Sequence, residues 1–298
     1  MTEHRFDGRV AVVTGAGRGI GRAYARLLAE RGARVVVNDL GGSIEGVGAD
    51  AAPAAEAVAE IVDAGGEAIA DASDVATEAG AQALVAAAME RFGRLDVLVN
   101  NAGIMRWARF PDVGPDDLAS HLAVHVAGAF HTTRAAWPHM VEAGYGRIVM
   151  TTSSGIFGLP DNACYAAAKA GVIGLTRSLT LAGARPGIKV NLIAPAAVTR
   201  MAGRAAEEMA AQMSPDLVAP LVAYLAHEDC PVSGEIYAAG AGRFARIFVA
   251  ATDGYVHDTP EPTIEDIARH WPAINDETSY HVPADLTSWS TDFLAHLL

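Results

Sequence analysis

The stretch RVAVVTGAGRGIG, residues 9–21, contains the features that decide the fold. Its first half is a valine-rich apolar run, typical of a buried β-strand, and its second half is a glycine-rich turn that opens a segment of helical period. Gly15, Gly19 and Gly21 are spaced as G-x3-G-x-G, with Arg18 and Ile20 between them. Because small residues let the backbone turn tightly, this pattern predicts a pyrophosphate site at a helix N-terminus. A glycine-rich turn of purely structural origin is the alternative.

The same alternation of strand and helix continues along the chain. Apolar runs recur at 33–39, 67–71, 95–100, 146–151 and 188–194, separated by Ala-, Glu- and Arg-rich segments of helical period. This predicts an α/β fold with a doubly wound, Rossmann-like parallel sheet and a ligand crevice beyond the C-terminal strand ends. GEIYAAGAG, residues 234–242, is expected to be the last strand and turn of the sheet.

Composition changes after this last run. We therefore expect one domain over residues 1–243 and a small C-terminal appendage over 244–298. About 55 residues make a marginal core alone, so the appendage is expected to pack on the same domain. The segment GGSIEGVGADAAP, 41–53, is long for a strand-to-helix connection.

Charge and composition exclude several classes of function. The net charge of −13 argues against nucleic acid or an anionic membrane surface as a partner, because both need a basic footprint. No run approaches the length of a membrane helix, and no targeting pattern opens the chain, so we expect a cytoplasmic protein. The two cysteines, Cys164 and Cys230, predict neither a disulfide framework nor a metal site.

An acidic residue ends the second predicted strand. A carboxylate at Asp39 can accept hydrogen bonds from the adenosine ribose hydroxyls of a dinucleotide and repels a 2′-phosphate, which favours NAD over NADP. Arg18 is a basic residue that could compensate such a phosphate, so NADP stays open. A helix cap or a solvated turn is the structural alternative for Asp39.

The segment YAAAK places Tyr165 and Lys169 four residues apart, on one face of a predicted helix. Tyrosine is a poor base at its ordinary pKa of about 10. A neighbouring ammonium and the cation of a nicotinamide ring would lower this pKa towards neutral pH, so we expect a tyrosine acid/base.

These motifs together resemble those of the short-chain dehydrogenase/reductase family. TGAGRGIG, NNAG at 100–103, the hydroxyl-rich TTSS at 151–154, YAAAK and NLIAP at 191–195 occur in the family's order and cover the chain to about residue 242. NDLGG at 38–42, VHVAGAF at 124–130 and YGRIVMTTS at 145–153 resemble more narrowly the (3R)-hydroxyacyl-CoA dehydrogenase unit of peroxisomal multifunctional enzyme type 2.

The resemblance implies a role for each matched position. Tyr165 becomes the general acid/base, and Lys169 lowers its pKa and holds the nicotinamide ribose. His125 stands where many members have an asparagine that relays protons; an imidazole can hold a water or relay a proton, although a lone helical histidine is often structural. The remaining cofactor contacts implied are Asp74 and Val75 at the adenine, Asn101, Ala102 and Gly103 at the adenosine and ribose, and Pro195 and Val198 within 193–199 at the nicotinamide end.

Two family spacings place the catalytic hydroxyl of TTSS at different residues. In the family's strand pattern this residue follows the glycine by seven positions, which gives Ser153 after Gly146. Its usual separation from the catalytic tyrosine instead gives Thr152. The difference implies a one-residue deletion between strand and helix. Because sheet hydrogen bonds fix a strand end while a loop absorbs deletions, we favour Ser153 and keep Thr152 as the alternative.

The sequence therefore predicts an NAD-dependent enzyme that interconverts a secondary alcohol and a ketone, with a (3R)-hydroxyacyl-CoA as the first substrate candidate. A hydroxysteroid or another bulky alcohol is the second candidate, since 105–114 and 158–164 form the expected substrate wall and 158–164 departs from the branch. A non-catalytic NAD-binding protein is a third reading. From the resemblance we expect a homodimer or homotetramer.

Overall fold

A single sheet organises the residues that the computed structural model describes, which are 3–199, 211–259 and 261–297. Within them, eight strands hydrogen-bond in the order β3-β2-β1-β4-β5-β6-β7-β8. Neighbouring strands from β3 through to β7 pair in parallel. The strands are β1 Val10–Thr14, β2 Arg34–Asn38, β3 Glu67–Asp71, β4 Val97–Asn100, β5 Gly146–Thr151, β6 Ile188–Pro195, β7 Ile236–Gly240 and β8 Arg243–Ile247.

Helices connect the strands and bury both faces of the sheet. Every residue of β1, β4 and β5 is buried, as continuous apolar runs predict for a parallel sheet covered on both sides. The helices of this region are α1 Gly19–Glu30, α2 Ala52–Asp63, α3 Glu78–Phe92, α4 Pro115–His121, α5 Gly128–Ala143, α6 Ala163–Gly183 and α7 Ala219–Ala226. The predicted doubly wound Rossmann-like fold is thus confirmed.

The strand order reverses between β1 and β4. The chain moves outward from β1 to β2 and β3, then returns to β4 on the other side of β1 and continues to β7. At such a switch point the connections leave in opposite directions and open a crevice above the C-terminal strand ends. The glycine-rich turn after β1 and the NNAG segment after β4 flank this crevice.

The sheet extends one strand further than the sequence indicated. β7 is followed by Ala241 and Gly242, whose φ angles of 49° and 73° form a two-residue turn, and β8 then adds an edge strand. β8, RFARI, is neither a continuous apolar run nor a strict alternation, and four of its five residues are exposed, so the sequence did not indicate a strand here. The predicted domain boundary after residue 243 therefore lies inside β8.

The chain divides into two compact units, Met1–Arg246 and Ile247–Leu298. The second unit contains the antiparallel pair β9 Ala251–Thr252 and β10 Tyr280–His281, with α8 Ile264–Ile274 and α9 Leu286–Phe293. Thr263 and Asp285 each cap one of these helices with a capping box. Packing of this segment on the first unit stays a prediction. Among the described helices, none has the length and apolar character needed to cross a membrane.

Candidate active site

A cavity of about 500 Å³ lies at the C-terminal ends of the central strands. Its volume is in the usual range for a site that takes a small ligand or cofactor. The predicted residues that line it are Gly15, Arg18, Gly19, Ile20, Gly21, Asp39, Asp74, Val75, Asn101, Ala102, Gly103, His125, Ser153, Tyr165, Lys169 and Pro195. Val198 does not line it, although its neighbours Ala197 and Thr199 do. The backbone N–H of Val198 instead donates to the carbonyl of Met213.

The glycine-rich turn requires its glycines for space and for backbone conformation. Gly15 and Gly19 have φ angles of 63° and 55°, in the left-handed region. A Cβ on Gly21 would lie 2.3 Å from the carbonyl oxygen of Gly15. Arg18, the residue that caps α1, makes no side-chain capping bond, so the first N–H groups of the helix receive no side-chain acceptor. This open helix end fits a phosphate group.

Thr14 and Asn101 join the glycine-rich turn to the segment after β4. The hydroxyl of Thr14 accepts from the backbone N–H groups of Asn101 and Ala102, each at 3.0 Å. The amide of Asn101 donates to the carbonyls of Thr14 and Gly15 at 2.9 and 3.0 Å. Asn101 lines the cavity, but its side-chain donor is used within the protein and holds the turn in place.

Asp39 follows β2 at the far end of the glycine-rich turn. Its carboxylate accepts from the N–H of Gly17 at 2.9 Å and of Gly41 at 2.7 Å, which orients it at the cavity wall. Each oxygen keeps acceptor capacity for a further donor. Arg18, the expected partner for a 2′-phosphate, lies 4.0 Å from the carboxylate of Asp50. The turn, the open helix end and the carboxylate together fit a nicotinamide adenine dinucleotide.

The two candidate hydroxyls of TTSS point in different directions. Thr152 is fully buried, and its hydroxyl donates to the carbonyl of Lys169 at 2.9 Å, away from the cavity. Ser153 lines the cavity, and its hydroxyl accepts from the N–H of Gly155 at 2.9 Å. The hydroxyl of Ser153 also lies close enough to Tyr165 to lower the pKa of the tyrosine. Successive residues of an extended strand face opposite sides, which separates the two hydroxyls.

The other two hydroxyls of TTSS line the same cavity. Ser154 begins the short 3-10 helix Ser154–Phe157. The hydroxyl of Thr151 is buried and has no hydrogen-bond partner among the described residues, whereas its carbonyl accepts from Lys169. An unpartnered buried hydroxyl beside a cavity has capacity for a water or a ligand.

Tyr165 and Lys169 lie on the same face of α6, as the spacing predicts. Burial lowers the pKa of Lys169 from 10.5 to about 7. Burial also raises the pKa of Tyr165 above its ordinary value of 10, and the nearby hydroxyl of Ser153 offsets part of this rise. In the chain without a cofactor, the pKa of Tyr165 is therefore not lowered. The Lys169 ammonium lies 5.6 Å from the centre of the tyrosine ring. The expected lowering also depended on the positive charge of a bound nicotinamide, which the chain does not supply.

His125 lies on a π-helical turn, Leu122–Ala127, a feature that is frequent at functional sites. Its ring packs edge-on against the ring of Tyr165, with centres 5.4 Å apart. Burial, with the nearby charge of Lys169, holds the pKa of His125 well below 6.5, so the imidazole is neutral. Its Nε2 donates to the carbonyl of Ile104 at 2.9 Å, which leaves Nδ1 as an acceptor without a partner among the described residues.

A second histidine in this region was missed by the sequence analysis. His121 is fully buried, and its Nδ1 donates to the carbonyl of Asp117 at 2.7 Å. Its Nε2 accepts from the N–H of Arg106 at 3.3 Å. His121 and His125 are four residues apart and stack, so together they hold the segment after β4. The i, i+4 spacing was a signal that could have found the pair.

The sequence analysis also missed part of the cavity wall. The insertion 41–53 contributes Ile44 and Gly46, and the carbonyl of Ile44 accepts from the N–H of Met105 at 2.9 Å. No residue-type motif marks these positions, and only the length of the insertion distinguished it. Trp107 and Leu159, by contrast, lie in the two segments expected to form the substrate wall, 105–114 and 158–164, and line the cavity with half-exposed apolar side chains.

A larger cavity of about 940 Å³ lies elsewhere, between α3 and α5. Its lining contains none of the predicted site residues, and it is mainly apolar. Volume alone therefore does not identify the site; the convergence of the glycine-rich turn with Ser153, Tyr165 and Lys169 does.

Comparison with known proteins agrees with this geometry. The model of the short chain dehydrogenase family matches residues 9–210. The chain belongs to the short-chain dehydrogenase/reductase family. Over 270 residues, or 90% of the chain, it is 45% identical to a short-chain type dehydrogenase/reductase of Mycobacterium tuberculosis, covering 94% of that protein. It is 44% identical over 283 residues, 94% of the chain, to peroxisomal multifunctional enzyme type 2 of Mus musculus, and spans 38% of that protein's length.

Two solved structures extend the family assignment. The full-length peroxisomal multifunctional enzyme type 2 of Drosophila melanogaster is similar over 98% of this chain and 50% of that one, with a TM-score of 0.82 and 37% identity. A 7α-hydroxysteroid dehydrogenase in complex with NADH and 7-oxo glycochenodeoxycholic acid is similar over 80% of this chain and 95% of that one, with a TM-score of 0.71 and 31% identity. Family membership makes this chain an oxidoreductase of the type that acts on alcohol groups and uses a nicotinamide cofactor.

Proposed function

We propose that the protein is an NAD-dependent dehydrogenase that interconverts a (3R)-hydroxyacyl-CoA and the corresponding 3-oxoacyl-CoA. The observation that carries the proposal is the presence of Ser153, Tyr165 and Lys169 in one cavity with the glycine-rich turn. The family resemblance of the site motifs and the 44% identity to the mouse multifunctional enzyme support the acyl-CoA substrate.

In the proposed oxidation, the hydroxyl oxygen of Tyr165 takes the proton of the substrate alcohol. The hydroxyl of Ser153, which lines the same cavity as that tyrosine, positions the substrate oxygen as it becomes a carbonyl. A bound nicotinamide supplies the acceptor for the hydride. Lys169 is buried beside the tyrosine, where its positive form would favour the phenolate.

His125 is the proposed link between Lys169 and a stored water. A small cavity of about 10 Å³ is lined by His125, Thr151 and Lys169 among others, which is room for about one water molecule. The acceptor atom Nδ1 of His125 and the hydroxyl of Thr151, both without a described partner, offer such a water its hydrogen bonds. A neutral imidazole at this position would relay the proton that leaves through Lys169.

NAD rather than NADP is the proposed cofactor. A 2′-phosphate would approach the carboxylate of Asp39, and like charges repel. Arg18, which could otherwise compensate that phosphate, faces Asp50. The cofactor end of the cavity thus carries two carboxylates near one guanidinium.

A bulky secondary alcohol such as a hydroxysteroid is the second candidate substrate. The half-exposed apolar side chains Trp107 and Leu159 on the cavity wall favour it, and a hydroxysteroid dehydrogenase is among the similar structures. Shape and polarity at this wall set the discrimination between the two substrate classes.

A substrate panel with two tyrosine variants tests the proposal. Acyl-CoAs, steroids and small alcohols are compared with NAD and NADP by following formation of the reduced cofactor. We expect 3-hydroxyacyl-CoA with NAD to give the highest kcat/KM, and Tyr165→Phe to lower kcat about 10²- to 10⁴-fold. Tyr145→Phe removes the same atom from a tyrosine that packs against Arg9 and Arg147 outside the cavity, and is the matched control.

The result of the panel separates the readings. Unchanged turnover in Tyr165→Phe contradicts the mechanism, and preference for a steroid contradicts the substrate. Tight NAD binding without turnover of any alcohol would indicate the non-catalytic reading. Assembly as a homodimer or homotetramer and a cytoplasmic location stay predictions.

A further inference from the structure

A cluster of metal-ligating side chains lies outside the active site, where the segment before β1 meets the turn after α7. His4, His227 and Asp229 each offer one ligand atom, and the three atoms lie within 4.8 Å of one another. We propose that these three residues form a binding site for a divalent transition-metal ion such as Zn²⁺, which ties the segment before β1 to the turn after α7.

The distances suit a tetrahedral ion. The carboxylate oxygen Oδ2 of Asp229 lies 3.6 Å from Nε2 of His4 and 3.4 Å from Nδ1 of His227. Zinc bonds of about 2.0–2.2 Å at tetrahedral angles place ligand atoms about 3.3–3.6 Å apart. Two of the three separations therefore already have the value that a bound ion requires. The exposed side chain of His4 can rotate to close the third.

His227 is already held in the form that binds a metal. Its Nε2 donates to the backbone carbonyl of Arg5 at 3.0 Å, so in the neutral ring Nδ1 carries the lone pair that faces Asp229. In metal sites, a histidine that binds the ion through one ring nitrogen usually donates the N–H of the other nitrogen to a carbonyl or carboxylate. Phe6 packs edge-on against the ring at 5.2 Å and limits its rotation.

One existing bond competes with the ion. The backbone N–H of Asp229 donates a hydrogen bond to Nδ1 of His227 at 3.2 Å. A metal ion bound to the lone pair of Nδ1 would break this hydrogen bond. This N–H belongs to an exposed residue, so it can bond to water instead at little cost. The buried Arg147 donates a hydrogen bond to the backbone carbonyl of His227 at 3.2 Å and so holds the turn in place.

Charge and access also favour a cation. The side chains of His4 and Asp229 are 52% and 64% exposed, which leaves an entry path and space for a water as fourth ligand. Asp229 neutralises one of the two charges of the ion. The guanidinium of Arg5 bonds to Asp7 at 2.7 Å, and that of Arg147 donates to the backbone carbonyl of His227, so each already has a partner other than Asp229.

Titration calorimetry with zinc chloride on the full chain, first freed of metal by a chelator, tests the site. We expect one ion per chain and a Kd that rises about 10- to 100-fold or more in both His4→Ala and Asp229→Asn. Both changes are at exposed side chains and leave the core intact. His296→Ala removes another exposed histidine and should bind as the wild type does.

Hydrogen exchange supplies a second readout that does not depend on catalysis. Zinc should slow amide exchange in residues 4–9 and 227–230 of the wild type, because it links the two segments, and should not do so in His4→Ala. A wild-type Kd weaker than about 0.1 mM would overturn the proposal, as would affinity unchanged by both variants.

Discussion

The two ends of the cavity, the cofactor end beside the glycine-rich turn and the tyrosine end beside Tyr165, differ in whether their polar side chains are hydrogen-bonded within the protein. At the cofactor end, Thr14, Asn101 and Asp39 hydrogen-bond to backbone groups of the chain. At the tyrosine end, the hydroxyl of Thr151 and Nδ1 of His125 have no partner among the described residues, although both are buried. Buried polar groups without partners are costly, so they persist where a ligand or water completes them. The cofactor end is therefore held rigid by internal hydrogen bonds, whereas the tyrosine end keeps polar atoms available to a ligand or water.

Of the effects that compare the two ends, the largest is expected at two neighbouring hydroxyls of the tyrosine end. Ser153→Ala removes the hydroxyl that lines the cavity beside Tyr165 and should lower kcat about 10²- to 10³-fold, as loss of one oxyanion donor does. Thr152→Val removes a hydroxyl that faces the carbonyl of Lys169 and should change kcat much less. Steady-state kinetics with thermal melting of both variants checks this. If a folded Thr152→Val alone abolished turnover, the proposed division of roles would be wrong.

The next effect tests the rigidity of the cofactor end. Thr14→Val leaves the N–H groups of Asn101 and Ala102 without their acceptor and should lower the free energy of unfolding by about 1–3 kcal/mol. Thr176→Val is the matched control. Its hydroxyl donates only to the carbonyl of Val172 one turn earlier in α6, so its loss should be nearly neutral. Urea unfolding compares the two, and equal losses would contradict the assigned role of Thr14.

Sequence reasoning reached the fold and the position of the site because both depend on regular patterns. Continuous apolar runs predicted the parallel sheet, and the spacing of Tyr165 and Lys169 predicted their shared helix face. The sequence did not predict the directions in which the site side chains point or the extent of their burial. The partner of Thr152 is a carbonyl 17 residues away, and only the folded backbone shows that its hydroxyl turns from the cavity. The burial that raises the pKa of Tyr165 in the chain without a cofactor could not be foreseen either, and the lowering expected with a bound nicotinamide stays a prediction.

A smaller effect concerns cofactor choice at the rigid end. Asp39→Asn keeps an oxygen for the N–H of Gly17 or Gly41 but removes the negative charge. We expect the ratio of kcat/KM with NAD to that with NADP to fall about tenfold, equivalent to about 1.4 kcal/mol. Asp50→Asn, which frees Arg18, should lower the ratio in the same direction. A ratio unchanged in both variants would show that neither carboxylate discriminates the 2′-phosphate.

The last effect is a pH dependence of stability that arises at the tyrosine end. The pKa of Lys169 is about 7 in the folded chain and near 10.5 when unfolded, so between these values the unfolded chain binds more protons. The free energy of unfolding should therefore rise with pH above about 7, by at most about 1.4 kcal/mol per pH unit, and show no pH dependence from this group below it, where the cost of burying its charge is fully present. Lys169→Met lacks the group, so the difference between wild type and variant, measured by urea unfolding at about pH 7, 8 and 9, isolates it.

Parallel stability curves for the two proteins would mean that Lys169 stays charged in the folded chain. The charge would then be available to Tyr165 before any cofactor binds. A rising difference means instead that the ammonium is discharged at mildly alkaline pH, because the carbonyl of Thr151 is its one hydrogen-bond partner among the described residues. In that case the positive charge that lowers the tyrosine pKa has to be restored when a ligand completes the unpartnered end of the cavity, and binding should take up a proton in that pH range.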